Sequence, residues 1–312
     1  MPFGPSGAIA RLLACGCVAA VLLPGARAGQ QPSFKAGVDL VTVAVTVTDK
    51  KGALVSDLRA EDFEVVEDGR TQDVTYFAVG DPADGAAPEM HLGLLLDVSD
   101  SMEDDLPFTK TAAIKFLNML TDAVDVTVVD FDTEVRVARF SQSEFARLIE
   151  RIRRKKVSGD TAIYDAIGVY LDGASAQRGR KIMLLYTDGG DTRSSLPFGE
   201  LMDLLKASDT TIYVVGELEH QPSSVRNQQR NVMERIAETT GGQAFFPTSV
   251  KQLDEVYQKV LAQIRAQYTL GYVSTNPRTD GAWRKVDVRL HRRDERGLRT
   301  RGRKGYFAPR KP

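Results

Sequence analysis

The chain has 312 residues, of which 42% are hydrophobic and 27% charged, with 41 Lys and Arg against 42 Asp and Glu. This is an ordinary globular composition with room for one large domain and a smaller one, and it excludes a disordered chain or a fibre. A formal net charge of −1 gives no global sign of nucleic-acid binding.

The N-terminus departs from this average. Arg11 precedes an apolar run from Leu12 to Leu23, followed by Pro24 and by Ala26-Arg27-Ala28, a small-residue cleavage pattern. Residues 1–28 are expected to be a secretory signal peptide cleaved after Ala28, which makes the protein secreted or periplasmic. The apolar run is too short for a membrane anchor, which needs about 20 such residues. A lipoprotein box at Leu12-Leu13-Ala14-Cys15 is a second reading, disfavoured by Arg11 and by the lack of an apolar stretch before the cysteine. Cys15 and Cys17 both fall in this segment, so the mature protein is expected to hold no thiol, disulfide or cysteine-ligated metal. Cleavage would leave 39 basic against 42 acidic residues, because the segment carries two basic residues and no acidic ones. No later stretch is long and apolar enough to serve as a stable transmembrane anchor.

From Val41 to Thr48, valines alternate with Thr or Ala, the period-2 pattern of a half-buried strand. A turn at Asp49 to Gly52 follows, then strand-like Phe63 to Glu67, the turn pair Asp68-Gly69 and another strand-like run from Val74 to Val79. The Gly-, Ala-, Pro- and Asp-rich segment Asp81 to Pro88 reads as a linker. Beyond it, apolar strands alternate with amphipathic helices, which predicts an α/β fold with a mostly parallel, doubly wound sheet. The strand candidates are Leu92–Leu96, Val126–Phe131, Ile182–Tyr186 and Ile212–Val215, with Val135–Phe140 as an antiparallel edge and Ala244–Phe246 as a short late strand. Helical periodicity marks Phe108–Leu120, Glu144–Arg153, Ile163–Leu171, Gly199–Lys206 and Leu253–Ile264. After Gln267 strands return, at Tyr268–Val273, Val286–Leu290 and Leu298–Phe307. Three strands cannot readily close a core alone. Residues 29–88 and 268–312 are therefore expected to form one small β-sandwich into which the α/β domain, residues 89–267, is inserted.

The first apolar strand runs into Asp97-Val98-Ser99-Asp100-Ser101, a D-x-S-x-S pattern at the carboxyl edge of a parallel strand, where open α/β sheets bind ligands. Spacing of two lets one carboxylate and two hydroxyls converge on a hard cation. Oxygen-only ligation suits Mg²⁺, with Mn²⁺ and Ca²⁺ as competitors.

With this loop the sequence resembles the von Willebrand factor A family, whose metal-ion-dependent adhesion site joins D-x-S-x-S to a threonine and an aspartate from two later loops. Ser158-Gly159-Asp160-Thr161 resembles the threonine loop and Thr187-Asp188-Gly189-Gly190-Asp191 the third loop, over a resemblance spanning residues 89 to about 267. It implies metal ligation by Asp97, Ser99, Ser101, Thr161 and Asp188, with a position left for an outside oxygen, typically the carboxylate of a partner's Asp or Glu. The same residue types also cap turns and helices, and that is the plainer reading of each taken singly. Asp100 and Asp160 stand where the family commonly has Gly. With Glu103, Asp104, Asp105 and Asp191 they give either a strongly acidic rim or solvated side chains.

The flanks, Val38 to Gly69 and Gln267 to Pro309, resemble those of a bacterial group of A-domain proteins often described from acidobacteria. The basic residues after Trp283 suit an edge strand guarded against aggregation better than a surface for anionic lipid, glycan or nucleic acid. His91, His220 and His291 are widely separated and no H-E-x-x-H, G-x-S-x-G or phosphate-binding glycine loop occurs, so no enzyme is expected. The sequence assigns no oligomeric state. The resulting expectation is a non-enzymatic adhesion or protein-binding module that ligates a partner carboxylate through a divalent cation. The competing one is a structural or assembly scaffold in the cell envelope whose cation only stabilises it.

Overall fold

The computed structural model describes residues 40–80, 88–219, 221–291 and 297–310. The expected signal peptide and most of the expected linker lie outside the described residues. Among the described residues, no helix is long and apolar enough to cross a membrane.

Fourteen strands are described, in three sheets. Strands β1 (Leu40–Thr48), β2 (Phe63–Glu67), β3 (Arg70–Gln72) and β4 (Val74–Val79) come first, and β11 (Tyr268–Val273), β12 (Trp283–Leu290), β13 (Arg299–Gly302) and β14 (Gly305–Phe307) come last. They interleave into two four-stranded sheets, ordered β13-β1-β11-β4 and β14-β12-β2-β3. Alternation drives this: Val41, Val43, Val45 and Val47 of β1 point into a core shared with Phe63 and Val65 of β2, Tyr268, Leu270 and Tyr272 of β11 and Val286 of β12. Asp68 and Gly69, both at positive φ (46° and 83°), form the two-residue turn between β2 and β3, a conformation glycine takes without steric cost.

The inserted α/β unit enters and leaves side by side. β4 pairs antiparallel with β11 through Val79 and Tyr268, and the Gly80 amide donates to the Gln267 carbonyl at 2.8 Å. The expected insertion of an α/β fold into a sandwich built from both flanks is what the chain adopts. Its sheet has the order β10-β9-β8-β5-β6-β7, from β5 (Met90–Asp97), β6 (Ala123–Phe131), β7 (Val135–Ser141), β8 (Arg180–Thr187), β9 (Thr211–Gly216) and β10 (Ala244–Phe245). All pairs are parallel except β6 with the edge strand β7.

Helices α1 (Leu106–Met119), α2 (Phe145–Arg153) and α6 (Val250–Arg265) contribute to the core on one face of the sheet, and α3 (Ile163–Ser175), α4 (Phe198–Ala207) and α5 (Ser223–Thr239) to that on the other. The central strand β5 serves both: Leu92, Leu94 and Leu96 face the first core and Leu95 the second. Gly93 shares the second face, where an added Cβ would lie 2.2 Å from the Tyr170 ring, so only glycine fits that contact.

Three features differ from the sequence expectation. β3 was too short to show a period. α5 was missed because its face is polar, with only Met233, Ile236 and Ala237 buried. The run expected as one strand from Leu298 to Phe307 is two: β13 pairs with β1 and β14 with β12, so the chain changes sheets between Gly302 and Gly305.

Candidate metal centre

Asp97 ends β5, next to β6 and β8, at the carboxyl edge of the sheet where the helices diverge to either side. Its side chain is fully buried. Oδ1 accepts from the Ser99 amide at 3.0 Å and the Ser99 hydroxyl at 2.6 Å, and Ser99 Oγ lies 3.1 Å from Ser101 Oγ. A spacing of two therefore does draw the carboxylate and both hydroxyls around one loop. The short 3-10 turn Asp100–Met102 starts within it.

Asp188 follows β8 and is 2% exposed. It is hydrogen-bonded by Ser101 and is close enough to Asp97 to act on it electrostatically. Thr161, 3% exposed, lies just before α3. Its loop is stitched to the Asp97 loop by Asp100 N to Gly159 O (3.0 Å) and Ser158 N to Val98 O (2.8 Å), and to the Asp188 loop by Thr192 N to Thr161 O (2.9 Å). The structure thus joins Asp97, Ser99, Ser101 and Asp188 by direct interactions and places the Thr161 loop against both neighbours. The Thr161 hydroxyl takes no part in the hydrogen bonds of the cluster among the described residues.

Residues that sequence reading passed over complete the surroundings. Thr187 Oγ1 donates to Asp97 Oδ2 at 2.6 Å, and Gln221 Nε2 to Asp188 Oδ2 at 3.0 Å. Glu217, 6% exposed, lies just past the end of β9, where its amide donates to the Thr187 carbonyl, and its Oε1 finds no hydrogen-bond partner among the described residues. Thr187 was legible from its place beside Asp188. Gln221 and Glu217 lie on a loop with no motif to signal them. Of the acidic rim, Asp100, Glu103, Asp104 and Asp160 are exposed. Asp191 instead accepts from Ser194 Oγ (2.5 Å) and holds the loop ahead of α4.

The electrostatics follow from burial. Burial pushes the Asp97 carboxyl up to about 7, with Asp188 adding to the rise and hydrogen bonds from Ser99 and Thr187 opposing it. Burial, reinforced by Asp105, also raises Asp188, and Glu217 is pushed up to about 8 by the same two causes. No ion pair reaches Asp97 or Asp188 among the described residues. By contrast Asp130, equally buried on β6, is held by Arg136, Arg151 and Lys155. A buried carboxylate needs a pair or a metal.

Among the described residues no group of three or more His, Cys, Asp or Glu side chains could hold a metal ion. This cluster has only two carboxylates, and its other donors are hydroxyls. The donor set is entirely hard oxygen and lacks a cationic partner, so the residues present fit a hard divalent cation such as Mg²⁺.

An inserted, doubly wound sheet with an oxygen cluster at its carboxyl edge defines a domain of the open α/β type, with the cluster where such sheets commonly bind ligands. The von Willebrand factor type A domain family matches residues 91–259, more than half of the chain, and the chain belongs to this family. Domains of this family are in general non-catalytic adhesion and protein-interaction modules. No curated protein matches it. Among solved structures, a von Willebrand factor type A protein from Catenulispora acidiphila is 15% identical over 88% of this chain and 75% of that one, with a TM-score of 0.49. The PilB minor pilin from Streptococcus sanguinis is 12% identical over 58% and 62% of the two chains (TM-score 0.47). The pilus adhesin SpaC from Lactobacillus rhamnosus GG, in its open conformation, is 10% identical over 80% and 48% (TM-score 0.48). The chain spans less than two thirds of the length of either pilus protein, and likeness at this level bears on no functional point.

Proposed function

We propose that the chain is an exported protein-interaction module in which Asp97, Ser99, Ser101, Thr161 and Asp188 hold one divalent cation, Mg²⁺ first, with Mn²⁺ or Ca²⁺ as competitors. The observation that carries this is the pair of facing, buried carboxylates surrounded by hydroxyls and without a cationic partner. When bound, the ion supplies charge neutralisation and a Lewis-acidic position. Asp97 and Asp188 would offset part of its charge, and the hydroxyls would ligate without adding more.

Two uses follow. A structural or assembly scaffold in the cell envelope, with a stabilising cation, is favoured by the burial of Asp97, Ser99, Thr161 and Asp188 and by Gln221 bracing Asp188. Adhesion through a partner's Asp or Glu carboxylate is supported by the exposure of Ser101, which leaves the cluster one solvent-facing donor. We place the scaffold first. Export rests on the apolar run before Ala26-Arg27-Ala28, and the division into residues 29–88, 89–267 and 268–312 on the change of pattern at each boundary. Kinship with the acidobacterial group rests on the flanking sequences.

Electron paramagnetic resonance of the Mn²⁺-loaded protein titrated with acetate separates the two uses. A spectrum that acetate leaves unchanged, with a melting temperature raised by Mn²⁺, supports the scaffold. An acetate-dependent spectrum moves the assignment to carboxylate ligation, and no Asp97-dependent Mn²⁺ signal removes both.

A further inference from the structure

A small cavity of about 30 Å³ lies at the opposite end of the α/β sheet from Asp97, between the amino ends of β8 and β9 and the sandwich strands β1 and β11. Its walls carry three cationic side chains, Arg180, Lys181 and Arg303, against a single carboxylate, Asp209. Lys181 is satisfied: Nζ donates to the Gln177 carbonyl and to Asp209 Oδ2, each at 2.8 Å. The two arginines are not. Arg180, 7% exposed, spends its terminal nitrogens on the carbonyls of Gly80 (3.1 Å) and Ile264 (2.5 Å), and Arg303 donates to the Thr42 carbonyl (2.5 Å). Arg180 also reaches Gln267 Oε1 (3.4 Å) and Arg303 the Ser208 carbonyl (3.5 Å), so all these acceptors are neutral; Asp209 acts on Arg303 electrostatically but pairs with Lys181, and among the described residues no carboxylate stands within ion-pair distance of either guanidinium.

Arg180 Nε, Arg303 Nε and Thr269 Oγ1 are all buried without a hydrogen-bond partner, and all three residues line this cavity. Buried N–H groups are nearly always paired, and a buried charge without a counter-charge costs several kcal/mol. Water could take the hydrogen bonds but would leave the charge. The space is small, and a monatomic anion fits beside the guanidinium and hydroxyl groups. We propose that this cavity is a site for a single halide ion, chloride under physiological conditions, which ties the sandwich to the amino edge of the inserted domain through Arg180, Arg303 and Thr269.

Crystals of the wild-type protein grown in bromide and measured at the bromine absorption edge test this directly. The expected result is an anomalous peak in the cavity within hydrogen-bond reach of Arg180 Nε and Arg303 Nε. Density there without anomalous signal at saturating bromide would mean water alone and would overturn the proposal. In solution, with chelator present so that no cation contributes, replacing gluconate by chloride at fixed ionic strength is expected to raise the melting temperature saturably by about 3 °C. No dependence on chloride would contradict the site. Thr269→Val, which removes one donor and no charge, is expected to raise the chloride midpoint about fivefold. An unchanged midpoint would remove Thr269 from the site, and the wild-type bromide result stands on its own if the variant does not fold.

Discussion

Replacing Asp97 by Asn in the metal-free protein removes a buried charge that faces a second carboxylate. The Asp97 pKa stands at about 7 in the folded chain against 3.8 for the free group. Because the folded state holds the proton more tightly, stability is full below the unfolded pKa and is lost as the pH rises towards 7. That difference amounts to about 4 kcal/mol of stability lost by neutral pH. The amide has a cost of its own: Oδ1 and Oδ2 both accept hydrogen bonds, from Ser99 and Thr187, and Asn can accept on one side only. Rotation of the Thr187 hydroxyl limits that cost to about 1–2 kcal/mol. Asp97→Asn is therefore expected to be about 2–3 kcal/mol more stable than wild type in chelator near pH 8, and slightly less stable near pH 4. Urea unfolding of both proteins at the two pH values provides the assay. Saturating Mg²⁺ should reverse the order at high pH, because only the wild type gains from binding. A variant less stable than wild type in chelator near pH 8 would refute the reasoning, since it would show that the charge is already compensated inside the protein.

Glu217→Gln is expected to raise stability in chelator by about 2–4 kcal/mol near pH 9 and to change little near pH 4, because burial and Asp105 lift the Glu217 pKa to about 8 and stability is lost as pH rises through that range; denaturant midpoints across pH check it. Asp130→Asn leaves Arg136, Arg151 and Lys155 without their buried partner and should cost about 3–5 kcal/mol, read as a lowered urea midpoint. Gly93→Ala drives a Cβ into the Tyr170 ring and should cost about 1–3 kcal/mol or more by the same measurement, with relief from Tyr170→Leu if the clash is the cause.

The strands with a clear period were legible in the sequence, and so was the place of the candidate site at the end of β5. Val41 to Thr48 alternates because one face of β1 meets a core, and β5 ends at Asp97 because its apolar run stops where the sheet does. The insertion could be inferred from too few strands on each flank, although the pairing of Val79 with Tyr268 that makes it work is a contact 189 positions apart, beyond any local pattern. α5 escaped because a helix packed along a narrow stripe needs few apolar residues. At the site, the motif residues carried a type and a spacing that announce oxygen ligation. Glu217 and Gln221 carry neither: they matter through a loop folded back over Asp188, and only burial and the unpartnered Oε1 mark Glu217 as unusual. The cavity at Arg180 and Arg303 was invisible for the same reason, because it is assembled from six segments that meet only in the fold.

Isothermal titration of Mg²⁺ and Mn²⁺ into the chelator-stripped protein, alongside Asp97→Ala, addresses the central claim. Saturable binding at one site, abolished by the substitution while the variant stays folded, is the expected result. Folded wild-type protein that takes up neither ion would contradict the account and leave Asp97 and Asp188 as buried carboxyl groups held by their hydrogen bonds alone.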